Sequence, residues 1–147
     1  MTTEACVRLH KTIPAPRAEV FEAWLAPALL ERFMCPAEGA SVSRVEVDAR
    51  EGGAFLIVMR VGDRELPHRG SYRTIERYER LVFTWLSHLA GEGSEVSLFF
   101  ADSGDGQTLL TLEHRGLESG AITPHSDGWT HIVHSLVEAL RRSRAGS

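Results

Sequence analysis

Apolar and polar residues alternate near the start of the chain, where Val7, Leu9 and Ile13 are interleaved with Arg8, His10 and Thr12. A period of two marks a strand with one buried face, so the chain is expected to open on a strand. Pro14 and Pro16 end it, because proline has no N–H to give to a ladder. Val20, Phe21, Trp24 and Leu25 then recur at helical spacing and make one apolar face. Pro27 breaks that helix. Residues 28–33 predict a second short one carrying Leu29, Leu30 and Phe33, closed by Pro36 and Gly39.

From residue 42 to residue 114 the period returns to two. Val45 and Val47 share a face, as do Phe55, Ile57, Met59 and Val61. Gly70 and Tyr72 face away from Arg69, Ser71 and Arg73. Leu81, Phe83 and Trp85 follow, then Val96, Leu98 and Phe100, then Thr108, Leu110, Leu112 and His114. The links are turn signals: Glu51-Gly52-Gly53, Gly62-Asp63, the polar residues 77–80, Ala90-Gly91-Glu92-Gly93 and Asp102-Ser103-Gly104-Asp105-Gly106. Links this short make neighbouring strands antiparallel. After Gly116 the period changes again. Thr123 suits an N-cap and Pro124 the first helical position. Trp129, Ile132, Val133, Leu136, Val137 and Leu140 form an apolar stripe of about five turns. Arg141, Arg142 and Arg144 close it, where cations offset the negative end of the helix dipole.

The predicted fold class is therefore α+β. A strongly curved antiparallel sheet of about seven strands, with two short helices after the first, wraps around a long C-terminal helix. With no repeat, low-complexity tract or linker, residues 1–147 are expected to form one domain.

Composition narrows the class. Hydrophobic residues make up 43% and charged residues 24%, which fits a packed chain rather than a disordered one. The net charge of −4 and the lack of a basic stripe argue against a nucleic-acid partner. The segment MTTEACVRLHK has no apolar core for a signal peptide, and no run approaches the roughly 20 apolar residues of a membrane span. Cys6 and Cys35 are too few for a disulfide framework or a four-cysteine zinc site, so a cytoplasmic protein with free thiols is expected.

Several stretches, in order along nearly the whole chain, resemble the activators of the heat-shock-protein-90 ATPase and their bacterial relatives, within the START-like (SRPBCC, birch-pollen-allergen-like) superfamily. They are Ile13-Pro14-Ala15-Pro16 with Val20-Phe21-Glu22-Ala23-Trp24, and Gly52-Gly53 before Phe55. Gly70-Ser71-Tyr72 leading to Arg80-Leu81-Val82-Phe83-Thr84-Trp85 continues the match. Thr108-Leu109-Leu110-Thr111-Leu112 with His114, then Gly128-Trp129 and Leu136, completes it. Phe33-Met34-Cys35-Pro36 departs from the family's tryptophan-rich stretch, and Tyr78 stands where the family usually has proline. The resemblance implies a helix-grip fold. The superfamily includes lipid carriers, polyketide cyclases, stress proteins and co-chaperones, so it does not imply one function.

A bent sheet held off by one helix leaves room for a small apolar ligand. The residues expected around it are Phe55, Ile57, Met59, Tyr72, Phe83, Trp85, Leu98, Phe100, Leu110 and Leu112 from the sheet, with Trp129, Val133 and Leu136 from the helix. The bland alternative is that these are simply core. His68, Tyr72 and His114 are the polar groups placed near the inner face, to orient a ligand or to be satisfied by the protein itself. Asp127, His131 and His134 fall on one helical face at spacings that suit either a metal or a solvated flank, and the flank is the expectation. Cys35 is either a reactive thiol or a plain buried one. No Ser-His-Asp ordering, phosphate loop or nucleotide fingerprint is present, and no cofactor or metal is expected. The leading function is binding of a small hydrophobic or aromatic molecule in a stress-response or regulatory role. The alternatives are a cyclase or hydrolase using His68 and His114 as an acid–base pair, and a chaperone-binding surface. A homodimer is also compatible with the sequence.

Overall fold

The computed structural model describes residues 6–145, with side chains as far as residue 142. The opening residues 1–5 and the side chain of Arg144 lie outside the described part. Strand β1 (Cys6–Ile13) leads into helices α1 (Arg17–Ala23) and α2 (Pro27–Phe33). Six strands follow: β2 (Ser41–Val47), β3 (Ala54–Val61), β4 (Arg64–Glu76), β5 (Arg80–Thr84), β6 (Glu95–Gly104) and β7 (Gln107–Arg115). A short 3-10 turn, Ser119–Ala121, runs into the long helix α3 (Ile122–Ala145).

The seven strands form one sheet in the order β1-β7-β6-β5-β4-β3-β2, antiparallel throughout. β1 and β2 are consecutive in sequence yet lie on opposite edges, because α1 and α2 carry the chain from one edge to the other. β4 makes the bend. Its first half pairs with β3 and its second half with β5, and a register shift between Tyr72 and Thr74 falls where the partner changes. Extra residues in a strand increase local twist and curvature.

Phe55, Ile57 and Met59 of β3, Tyr72 of β4 and Phe83 of β5 point to the concave side. So do Val96, Leu98 and Phe100 of β6 and Leu110 and Leu112 of β7. α3 covers them with Trp129, Ile132, Val133, Leu136, Val137 and Leu140, all buried. The stripe is as the sequence predicts, but the helix begins earlier. Thr123 and Pro124 lie inside its first turn and Thr123 does not cap it, because the 3-10 turn already feeds the chain into helical geometry at Ile122. At the other end Arg141 pairs with Glu138 at 3.3 Å.

One glycine is dictated by the packing. Gly70 sits on β4 opposite Phe55, and a Cβ there would lie 2.0 Å from the Thr84 carbonyl oxygen and 2.6 Å from the Phe55 ring. The ring lies flat against the strand only because no side chain intervenes. Gly70→Ala is expected to lower unfolding free energy by about 2 kcal/mol or more, as overpacking against backbone does. Gly91→Ala, in open space, is expected to stay within about 0.5 kcal/mol of wild type. Denaturant titration of both variants checks this, and equal midpoints would contradict it.

Candidate functional site

The interior is not evenly filled. Beneath α1 and α2, the side chains of Trp24, Leu30, Met34, Phe55, Ile57, Tyr72, Phe83 and Trp85 close in until only about 10 Å³ remains. At the other end, between β3–β4 and the start of α3, a cavity of about 140 Å³ stays open. Its floor is Met59, His68, Trp85, Trp129 and Ile132, all buried. Its rim is Pro36, Leu66, Ser87, His88, Leu89, Pro124, His125 and Gly128, partly or fully exposed. Trp85 borders both spaces.

Aromatic rings dominate the floor. Trp85 and Trp129 lie 4.9 Å apart between centroids, and His68 lies 5.0 Å from Trp85 at an interplanar angle of 38°. Behind them runs a buried chain of hydrogen bonds. The Trp129 indole N–H donates to His114 Nδ1 at 3.0 Å. That leaves the His114 proton on Nε2, which donates to Ser94 Oγ at 2.7 Å. The Ser94 hydroxyl in turn donates to the Trp85 carbonyl at 2.7 Å. Burial, with His125 nearby, pushes the His114 pKa from 6.5 down to about 3, so the ring is neutral.

His68 is the contrasting case. Burial pushes its pKa down to about 4, outweighing the carbonyls of Leu66 and Ile57, while His88 and His125 add a little in the same direction as burial. Those carbonyls favour the charged ring without meeting Nδ1 in hydrogen-bond geometry: His68 Nδ1 is buried without a partner, as is Trp85 Nε1. On the rim, His125 donates from Nδ1 to the Ala121 carbonyl at 2.9 Å, and burial lowers its pKa too.

The expected site residues therefore divide. Met59, His68, Trp85 and Trp129 line the open cavity. Phe55, Ile57, Tyr72 and Phe83 border the small void and not the open cavity, and burial raises the Tyr72 pKa. Leu98, Phe100, Leu110, Leu112, Val133 and Leu136 line neither space. They are packed core, because these strands and the middle of α3 meet directly. His114 also lines neither space, and the protein engages both of its ring nitrogens.

Asp127 and His134 are exposed, and His131 donates from Nδ1 to the Cys35 carbonyl at 2.7 Å. Among the described residues no cluster of three or more His, Cys, Asp or Glu is placed to hold a metal. Burial raises the Cys35 pKa, which leaves a thiol and not a thiolate at neutral pH.

The periodic reading missed the rim. Pro36, Ser87, His88 and Leu89 come from loops, and Pro124, His125 and Gly128 from the first turns of α3. The available signals were Gly128 inside an apolar helical stripe and Leu89, 49% exposed, beside His88 in a loop.

A curved antiparallel sheet gripping a C-terminal helix, with a cavity where the two part, is a helix-grip domain of the START-like class. Within that class the chain belongs to the family described as "Activator of Hsp90 ATPase homolog 1-like protein", whose family model matches residues 14–141. It is similar in structure to protein CV1439 of Chromobacterium violaceum, with 27% identity, 91% of this chain and 96% of that one covered, and a TM-score of 0.81. Protein NE0264 of Nitrosomonas europaea is similar at 22% identity, with 99% of each chain covered and a TM-score of 0.83. The AHSA1-like protein of Aeromonas hydrophila, at 21% identity with 92% and 93% covered, gives a TM-score of 0.77. No curated protein matches the chain. Among the described residues no helix is long and apolar enough to cross a membrane.

Two measurements probe this network. Ser94→Ala removes the acceptor for His114 Nε2–H and is expected to cost about 1–3 kcal/mol by denaturant titration, whereas a neutral result would mean that the bond is not formed. Acid acts through the same rings. Unfolded, His68 and His114 gain a proton near pH 6.5; folded, only near 4 and 3. Between these values the unfolded chain binds more protons. Stability is therefore full above about pH 6.5 and falls with pH, by up to about 1.4 kcal/mol per pH unit for each ring. Unfolding midpoints that stay flat from about pH 7.5 to 5.5 would contradict the neutral, buried assignment.

Proposed function

We propose that the protein binds a small hydrophobic or aromatic molecule in the cavity between the β3–β4 end of the sheet and the start of α3. The observation that carries this reading is an open volume of about 140 Å³ over an apolar, aromatic floor. That floor includes two residues with unpartnered buried nitrogens, His68 and Trp85. A cavity of about 150 Å³ lined by apolar side chains is known to hold benzene, so the space suits a single ring. Burying on the order of 150 Å² of such a ring at about 25 cal/mol per Å² yields roughly 4 kcal/mol, or a Kd near 1 mM for the simplest probe.

A cyclase or hydrolase reading needs two proton-transfer groups at one reacting atom. His114 is committed on both nitrogens to Trp129 and Ser94, which leaves His68 without its expected partner and favours binding over catalysis.

Gly128 allows a clean test. A Cβ there would meet only Pro36, at an ordinary 3.5 Å. Gly128→Ala is expected to fold and to gain up to about 1 kcal/mol of helix stability. Gly128→Leu is expected to project into the cavity and fill it. Wild type and Gly128→Ala should bind benzene, toluene or indole saturably by ligand-observed NMR, with Tm rising as ligand is added. Gly128→Leu should not. Absence of saturable binding of all three probes to wild type would overturn the proposal.

A further inference from the structure

We infer that the ligand class is a neutral monocyclic hydroxyaromatic, a phenol, with its hydroxyl placed between His68 Nδ1 and Trp85 Nε1. This rests on the cavity being a binding site and adds what the ligand must carry. The size of the space admits one ring, and the rings of Trp85 and Trp129, 4.9 Å apart and tilted by 53°, offer it aromatic contacts.

Charge selects against ionised ligands. The wall has no Asp or Glu to pair an ammonium and no Lys or Arg to pair a carboxylate. Burial keeps His68 neutral at physiological pH and weakens protonation of His125 as well. An ion would therefore enter a desolvated site without a counter-charge.

The unpartnered nitrogens then select the polar group. Trp85 Nε1–H can only donate and needs an acceptor. His68 Nδ1 donates or accepts according to its tautomer, and either way it lacks a partner. A ketone or an ether oxygen serves only donors. A hydroxyl accepts from the indole while it donates to a bare imidazole nitrogen, and its two lone pairs also let it accept from both rings if Nδ1 carries the proton. It is the small neutral group that satisfies the pair in both tautomers. The two ring centroids are 5.0 Å apart at an interplanar angle of 38°, which places the rings side by side on the cavity floor. Both nitrogens are buried, and bonding to the hydroxyl includes the ring rotations that bring them to the cavity wall.

The test compares phenol, anisole and toluene, which share one ring, by NMR titration of the intact protein. Phenol is expected to bind wild type about tenfold more tightly than toluene, the worth of one to two neutral hydrogen bonds. Anisole, which cannot donate, is expected to fall below phenol. In His68→Leu the phenol advantage over toluene should shrink to about twofold or less. The indole N–H resonance of Trp85, assigned by its loss in Trp85→Phe, should move downfield on adding phenol to wild type, as a new hydrogen bond requires, and show no such downfield shift with toluene, whose ring current alone acts on it; this readout does not depend on the His68 variant folding. Equal binding of phenol and toluene would overturn the hydroxyl assignment while leaving the cavity as a binding site. Failure of all three probes to bind would overturn both.

Discussion

Between sheet and helix, the site is anchored by the hydrogen bond from the indole of Trp129 on α3 to Nδ1 of His114 on β7. Apolar contact holds a helix on a bent sheet by close packing but has no directional component of its own. Here both partners are buried, and separating them leaves a donor and an acceptor unpaired at about 1–3 kcal/mol each. The bond therefore adds a directional restraint to the rotation of α3, alongside the bond from His131 to the Cys35 carbonyl. With Trp129 held on the sheet, Ile132 three residues later falls on the cavity floor, while Gly128 and His125, one and four residues earlier, fall on its rim.

With that geometry set, side-chain volume decides how much space remains. Toward α1 and α2 the concave side carries Phe55, Tyr72 and Phe83, with Trp24 and Met34 closing from the helices, and the void shrinks to about 10 Å³. Toward the start of α3 the facing positions are Met59, Leu66 and His68, and α3 contributes no side chain at all at Gly128. The same curvature thus gives a solid interior at one end and an open one at the other. Phe55 belongs to the solid end because Gly70 lets its ring settle against β4. Trp85 is the partition between the two spaces.

This division explains what was legible in the sequence. Strands and helices declare themselves by period, and all seven strands, both short helices and the apolar stripe of α3 occur in the order the pattern gives, although β5 ends at Thr84, before Trp85, and Pro27 opens α2. A period-two pattern identifies which residues point inward. It does not say whether they end against another side chain or against open space, so Leu98, Leu110 and Leu112 look identical to Met59 in sequence. The rim is harder still. Ser87, His88 and Leu89 lie in a loop with no period, and their approach to Pro124 and His125 follows from the closure of the sheet and not from anything local. The start of α3 was misplaced for a related reason. Thr123-Pro124 has the composition of a helix start, but the 3-10 turn Ser119–Ala121 already leads into the helix at Ile122, and the Ala121 carbonyl accepts a hydrogen bond from His125 Nδ1.

The nitrogens of the interior carry the last step. Trp129 and His114 are satisfied, and they are the groups that attach helix to sheet. Trp24, Trp85 and His68 each leave one nitrogen unpaired, and all three border a space that the packing does not close. A phenylalanine or leucine at those positions would fill comparable volume without a desolvated donor, so apolar packing alone gives no reason for indole and imidazole there. Where a residue that lines a cavity carries a buried polar atom with no internal bond, that atom has a bond left to give to something that enters. His68 and Trp85, adjacent on the floor of the larger cavity, meet that condition together, whereas Trp24 faces a space too small for more than a single small molecule such as water.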